Sequence, residues 1–471
     1  MVGRKEECLI LEDAVNSGRP EFLALYGRRR VGKTFLVKEY FKDSFSFYAT
    51  GVQKCNTRQQ LKIFKEALVK YGDVTRTVPK DWFEAFSRLE VLLQDEKTAR
   101  DYKSGRRIVF LDELPWMDTP RSDFKSALDY FWNSWGSSQK DLLLIICGSA
   151  TSWIMDNVVK DTGGFYNRLT RQIRLMPFSL GECEQLLIVN GLQMTRKQII
   201  ECYMILGGIP YYLNYLRPGL SLAQNIDILF FHENSPLKYE FKQLFSALFR
   251  HSDNYIAVVE KLAEHKGGMT RTELVKSKNI SGGKELTRCL EDLEQCGFIR
   301  KYHDYTRSSN SCVFQLIDSL SLFYLTFLKD GKIGSWMDHI GTPGYYNWCG
   351  LAFEKVGMQH IEQIKKALGI SGVSCNCFAW RSKKTTPGAQ IDLLIDRKDD
   401  VINVCEMKYS IEEYSIDAKV AEDLIHKVEV LRRESRTGKA IWITMVSFSG
   451  LKRNEYYNSV QCMISGDELF D

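Results

Sequence analysis

No apolar run in the 471 residues approaches the ~20 that a helix needs to cross a bilayer. A spanning helix is therefore not expected. Met1 is followed at once by the charged stretch "GRKEE" and not by the apolar core of a signal peptide, which predicts a cytoplasmic chain with no membrane partner. No two cysteines stand at C-x-x-C spacing, and of the 13 present only Cys375 and Cys377 lie close together. This is the usage of a reduced, intracellular protein in which cysteine serves as a small apolar residue. A strong charge of one sign is also missing. The formal net charge of +5 is mild for this length, so it neither argues for a nucleic-acid partner nor excludes one, and any such surface has to come from local patches.

What is present suits a folded protein of several domains. The apolar share is 44% and the charged share 26%, and the chain is too long for one hydrophobic core, which suggests roughly two to four domains. Residues 24 to 37, "ALYGRRRVGKTFLV", hold Gly27, four residues, then Gly32, Lys33 and Thr34. This is the G-x-x-x-x-G-K-[ST] frame, in which glycines let backbone N–H groups turn inward around phosphate oxygens. Phe22 to Tyr26 reads as a buried strand and Thr34 to Phe41 as a helix, so the loop lies where backbone amides and the helix dipole favour an anion. Gly27, Arg28, Arg29, Arg30, Val31, Gly32, Lys33, Thr34 and Phe35 are the expected nucleotide contacts. Arg28 to Arg30 could touch a phosphate or a nucleic acid, although such residues more often form a solvated loop face.

A second apolar strand, "IVFLDE", ends in Asp112 and Glu113. At such a strand end the first acid suits holding magnesium together with Thr34, and the second suits polarising the attacking water. A third strand, Leu142 to Cys147, runs into "GSAT", where the hydroxyl of Ser149 or Thr151 could sense a γ-phosphate or could simply cap a turn. Strands alternating with helices between residues 20 and 175 predict a parallel α/β sheet with its ligand at the carboxyl ends of the strands.

The motifs "VGRKEE", "GRRRVGKT", "FLDELPW", "ICGSAT", "YNRLTR" and "GGIPYYL" occur in the order and spacing of the prokaryotic P-loop ATPases related to the AAA+ and STAND groups, the archaeal-type ATPase family. The resemblance covers roughly the first half of the chain. It implies an ATP and Mg2+ site shared between an α/β core (1–175) and a helical lid (176–245), with Gly3 and Arg4 near the adenine and Gly208 and Pro210 near the nucleotide. It also makes Arg168 a candidate for neutralising charge on the transferring phosphoryl group, in its own or a neighbouring subunit, although Arg168, Arg171 and Arg174 can also be read as a solvated basic edge.

Between residues 250 and 320, three helical stretches followed by "FIRKYHDY" and "CVFQLID" predict a winged helix. The polar face of its third helix carries Lys284 and Arg288 but also Glu285, Glu291 and Asp292, which suits a protein contact or spacer as well as a major-groove reader. In residues 345–471, Glu354 on a helix, Asp392 on one apolar strand and Glu406-x-Lys408 ending the next resemble the core of restriction-endonuclease-like PD-(D/E)xK folds, and the poorly characterised domain that often follows this ATPase family. In that chemistry Glu354, Asp392 and Glu406 would bind a divalent metal and Lys408 would orient or deprotonate the attacking water. Ile391 stands where the motif has proline.

These expectations combine into a magnesium-dependent ATPase, with Lys33 on the β- and γ-phosphates and Glu113 activating water, whose nucleotide state governs a nuclease-like domain acting on nucleic acid. Two alternatives remain. One is a slow ATP-dependent switch with a degenerate nuclease fold, and the other a DNA-binding regulator built on the winged helix. A second copy of the chain is a further candidate partner.

Overall fold

A computed structural model describes residues 1–160, 168–249, 251–278, 280–305, 312–331, 334–382 and 388–471. Tyr166 and Asn167 of the "YNRLTR" motif lie outside the described residues. The chain forms two compact units, Met1–Met176 and Pro177–Asp471. No helix among the described residues is long and apolar enough to cross a membrane.

The first unit is built on five strands, β1 (Glu21–Tyr26), β2 (Phe47–Thr50), β3 (Arg107–Asp112), β4 (Leu142–Gly148) and β5 (Arg171–Arg174). They pair in the order β2-β3-β4-β1-β5, every pair parallel. β1, β3 and β4 are buried at every position, which is why they read as unbroken apolar runs and not as alternating ones. An aromatic core in which Phe64, Trp82, Phe86 and Phe124 stack edge to face or tilted ties the helices Thr57–Lys70, Trp82–Gln94 and Phe124–Ser134 together over one face. Side chains begin two of these helices: Asn56 and Gln59 form a reciprocal capping box, and Asp81 accepts from the Glu84 amide.

The second unit opens with helices including Leu180–Val189 and Arg196–Leu206. Then come the helix Ser252–Glu264, strand β6 (Met269–Thr270), the helices Arg271–Val275 and Lys284–Gln295, and strands β7 (Ile299–His303) and β8 (Cys312–Leu316). These strands make an antiparallel sheet in the order β6-β8-β7. The helix Pro343–Gln359 leads to a mixed sheet of β9 (Cys375–Arg381), β10 (Gln390–Arg397), β11 (Val401–Lys408), β12 (Ala440–Ser447) and β13 (Cys462–Ser465), in the order β13-β12-β11-β10-β9. β9, β10 and β11 are antiparallel neighbours, whereas β11, β12 and β13 are parallel. A parallel neighbour needs a crossover, and the helix Ala418–Ser435 supplies it between β11 and β12. The two sheets touch: Asp304 bridges to Ala379, and the Tyr305 amide donates to the Ala379 carbonyl at 3.2 Å.

One expectation about the polar face of Lys284–Gln295 is corrected. Asp292 is buried, accepting a 2.6 Å hydrogen bond from the Tyr255 hydroxyl, and Glu285 accepts from the Asn254 amide at 2.6 Å. Arg288, 75% exposed, pairs with Asp292 at 3.8 Å, and the exposed charges of this helix, Lys284, Glu285, Arg288 and Glu291, remain mixed.

Gly208 shows how closely the second unit is packed. The Phe178 amide donates to its carbonyl at 2.6 Å, and a Cβ on Gly208 would stand 1.9 Å from the Phe178 carbonyl oxygen. Backbone cannot yield to that contact, so Gly208→Ala should cost roughly 1–3 kcal/mol. Gly350 lies inside the helix Pro343–Gln359 with nothing within 4 Å of an added Cβ, so Gly350→Ala should stabilise by about 0.5–1 kcal/mol. Urea unfolding of both variants checks the pair, and equal shifts would contradict the packing assigned to Gly208.

Candidate functional site

The carboxyl ends of β1, β3 and β4 are neighbours in the first sheet, and they bring the phosphate loop, Asp112, Glu113 and Ser149 to one edge. The loop backbone is left-handed at Arg30 (φ 73°) and Gly32 (φ 93°), the latter serving as N-cap of the helix Lys33–Phe41. Gly27 has φ 146°, and a Cβ there would sit 2.3 Å from the Leu175 carbonyl oxygen. The first glycine of the motif is thus required by the close passage of the chain after β5, and the second by backbone conformation.

Lys33 is 5% exposed, and its ammonium donates to the carbonyls of Gly27 and Arg28, both at 2.9 Å. The Thr34 hydroxyl donates to Asp112 Oδ2 at 2.7 Å, and the Glu113 amide donates to Asp112 Oδ1 at 2.9 Å. Burial pushes the Asp112 carboxyl above its ordinary value and neighbouring Glu113 adds to this, while the Thr34 hydroxyl opposes it. Glu113 has a left-handed backbone (φ 46°), and Ser149 engages both its carboxylate oxygens, donating its hydroxyl to Oε1 at 2.6 Å and its amide to Oε2 at 3.2 Å. Of the two hydroxyls offered by "GSAT", Ser149 is therefore the one brought to the acid pair, while Thr151 begins a short helix, buried.

Three expectations for this unit need revision. Arg28 is 5% exposed, so it is no part of a solvated loop face, whereas Phe35 is exposed. Arg4, expected near an adenine, donates to the Val31 carbonyl at 3.0 Å and the Met176 carbonyl at 2.7 Å, bracing the phosphate loop from behind; Gly3 shares its left-handed backbone. Arg168 is exposed and lies before β5, whose first residue, Arg171, pairs with Leu23 of β1. That places Arg168 toward the amino-terminal end of the sheet, roughly 13 Å or more along the strands from Gly27. The fold does not bring it to its own phosphate loop. Arg171 reaches back to the buried Glu21 at 3.8 Å, and Arg174 is exposed.

Gly208 and Pro210 belong to the second unit, Pro210 as the first residue of the helix Pro210–Leu213. The same unit holds the remaining candidates. Glu354 lies on Pro343–Gln359, Asp392 on β10, Glu406 and Lys408 on β11. Lys408 pairs with Glu406 Oε1 at 2.8 Å, and Lys427, from the helix Ala418–Ser435, pairs with Oε2 at 2.9 Å. Asp392 Oδ1 accepts from the Gln390 amide at 2.8 Å, and Arg300 of β7 donates to the Asp392 carbonyl at 3.2 Å. Among the described residues, no three His, Cys, Asp or Glu side chains are disposed to hold a metal ion. Thr34 and Asp112 do converge as a pair of hard oxygen donors. Lys427, Lys355 and Gln390 carry no motif, and the sequence alone gives no signal for them.

Burial, then the charges of Asp392 and Glu406, raises the Glu354 carboxyl to about 7. The folded chain thus holds this proton more tightly than the unfolded chain, so Glu354 favours folding below its ordinary value near 4.5, and that contribution is lost as pH rises toward 7. Glu354→Gln should flatten the fall in stability across this window, as measured by urea unfolding at several pH values. An unchanged slope would remove Glu354 as its source.

Comparison with known proteins places this geometry. Residues 1–216 match the family described as an ATPase domain predominantly from Archaea. An uncharacterized protein of Methanocaldococcus jannaschii is 24% identical over 442 residues, covering 91% of this chain and 92% of that one. An uncharacterized ATP-binding protein of the same organism is 48% identical over 42 residues, 9% of this chain and 71% of that one. Among solved structures, a Walker-type ATPase of Pyrococcus abyssi superposes with a TM-score of 0.50 at 19% identity, covering 69% of this chain and 96% of that one. The Aeropyrum pernix ORC2 protein, solved in ADPNP–ADP complexes, gives 0.44 at 15% identity over 68% and 92% of the two chains. The first unit thus has the P-loop ATPase fold, and residues 1–216 are similar to the ATPase domain found predominantly in Archaea.

Proposed function

We propose that this protein hydrolyses ATP with magnesium in its first unit, and that the nucleotide state acts on a nucleic-acid-directed module in its second. The observation that carries this is the chain of contacts from Lys33 through Thr34 and Asp112 to Glu113 and Ser149 at one sheet edge. Lys33 and the loop amides would bind the β- and γ-phosphates, exchanging the loop carbonyls for phosphate oxygens. Thr34 and Asp112 would hold Mg2+, which supplies charge neutralisation when bound. Glu113, fixed by both donors of Ser149, would orient the attacking water and take its proton.

The second unit supports the nucleic-acid reading through its arrangement of elements. A helix, strand, two helices and a hairpin follow the order of a winged helix, with Lys284 and Arg288 exposed on the third helix. The mixed sheet, with a helix before β9 and the crossover helix between β11 and β12, supports the reading of a PD-(D/E)xK-like core. Both oxygens of Glu406 being taken by lysines favours the notion of a degenerate nuclease fold used for recognition.

Lys33→Ala should weaken nucleotide binding about 10- to 100-fold, the loss of charge-assisted hydrogen bonds of about 1.5–3 kcal/mol. Glu113→Gln should keep binding and slow turnover on the order of 10²-fold, trapping ATP. Steady-state hydrolysis and nucleotide titration measure both, and unchanged turnover in Glu113→Gln would move the role of base elsewhere.

We propose that Arg168, set toward the amino-terminal end of its own sheet, serves another copy's phosphate loop. Specific activity should then rise with protein concentration, and Arg168→Ala should abolish that rise while sparing nucleotide affinity. A specific activity independent of concentration in the unaltered protein would exclude the arrangement.

A further inference from the structure

We infer that the carboxylate cluster of the second unit carries its own cations and engages nucleic acid without a bound divalent ion, Lys355 being the buried member of that set. The inference rests on the nucleic-acid reading above. A divalent ion in an all-oxygen site needs several carboxylate oxygens free to turn toward it. Glu406 offers neither of its two, since Lys408 and Lys427 hold one each at 2.8 and 2.9 Å. Asp392 has Oδ1 engaged by the Gln390 amide. That amide is itself wedged in place: a Cβ on Gly267, in the turn before β6, would stand 2.5 Å from Gln390 Nε2.

Lys355 is the observation with no other account. It is 5% exposed, and its ammonium has no hydrogen-bond partner among the described residues. Burying an ammonium is costly unless opposite charge surrounds it, and the charges acting on Lys355 are Glu354 and Asp392, with Arg300 and Lys266 opposing them. The acids expected to bind metal are thus Glu354, Asp392 and Glu406, and they are matched by the ammoniums of Lys355, Lys408 and Lys427, with Arg300 beside Asp392. A divalent cation entering this group would have to displace ammoniums tethered to the fold. A phosphodiester backbone would instead meet Lys408, the most exposed ammonium of this charge-matched group at 33%.

The test counts Mn2+ bound to the full-length protein without nucleotide, by electron paramagnetic resonance, in an Asp112→Asn background that removes the phosphate-loop site. No Mn2+ should bind across the millimolar range. Lys355→Met, or Lys408→Met combined with Lys427→Met, should create one Mn2+ site, and adding Asp392→Asn should abolish it. The Lys408 and Lys427 pair decides alone if Lys355→Met fails to fold. A Mn2+ already bound in the Asp112→Asn protein and lost with Asp392→Asn would overturn the inference, as would the absence of any gain in the lysine variants. In parallel, a labelled DNA duplex should bind equally in EDTA and in Mn2+. Binding only with Mn2+ overturns the inference; binding in neither overturns the nucleic-acid reading, and the metal count still decides the site itself.

Discussion

The passage of the chain after β5 past Gly27 is the constraint on which the nucleotide site depends. The Leu175 amide donates to the Tyr26 carbonyl at 2.7 Å, and the Leu175 carbonyl occupies the space that any side chain on Gly27 would need. Arg4 closes the same loop from behind by holding the carbonyls of Val31 and Met176. With both sides fixed, Arg30 and Gly32 are held in left-handed backbone, at a cost of about 1–2 kcal/mol for the arginine. The loop amides are then pre-aimed, so that little ordering is left to be done when an anion arrives. Lys33 and Thr34 follow as the first residues of the helix, and Thr34 reaches Asp112 because β3 lies one strand beyond β4 in the sheet.

Glu113 is positioned from the other direction. Pro115 packs against Gly148, where a Cβ would come within 2.6 Å of the proline ring, so the turn after β3 sits directly on the end of β4. That contact brings Ser149 to both oxygens of Glu113. The "GSAT" glycine is therefore a packing requirement, and the serine after it is the polar residue that the packing delivers. Neither could be separated from an ordinary turn by inspecting the string of letters.

The parts legible in the sequence were those set by local pattern. β1, β3 and β4 are continuous apolar runs because helices cover both faces of a parallel sheet, and the loop motif is contiguous. The strands carrying Asp392 and Glu406 were legible as mostly apolar runs too, although β10 pairs antiparallel with both neighbours. What escaped depends on partners far along the chain. Arg4 binds carbonyls 27 and 172 residues away, and Asp292 is buried by a tyrosine 37 residues away. Arg168 was a candidate only through the resemblance, for its own or a neighbouring subunit, and the parallel pairing of β5 with β1 sets it toward the amino-terminal end of the strands.

The two centres handle charge in opposite ways, and the difference follows from which atoms each acid can reach. In the first unit Asp112 and Glu113 take neutral hydroxyl and amide donors from Thr34 and Ser149, partners that satisfy geometry but leave negative charge in place. Burial then acts against that charge, raising the Asp112 carboxyl, and an arriving cation would relieve the strain. In the second unit the antiparallel pair β10 and β11 and the helices Pro343–Gln359 and Ala418–Ser435 set lysines among the acids. Fixed ammoniums satisfy charge and geometry together, so that centre has no comparable demand for an ion. Residue types alike on paper, two acids at strand ends in each unit, thus acquire different chemistry from the counter-groups that the fold assembles around them.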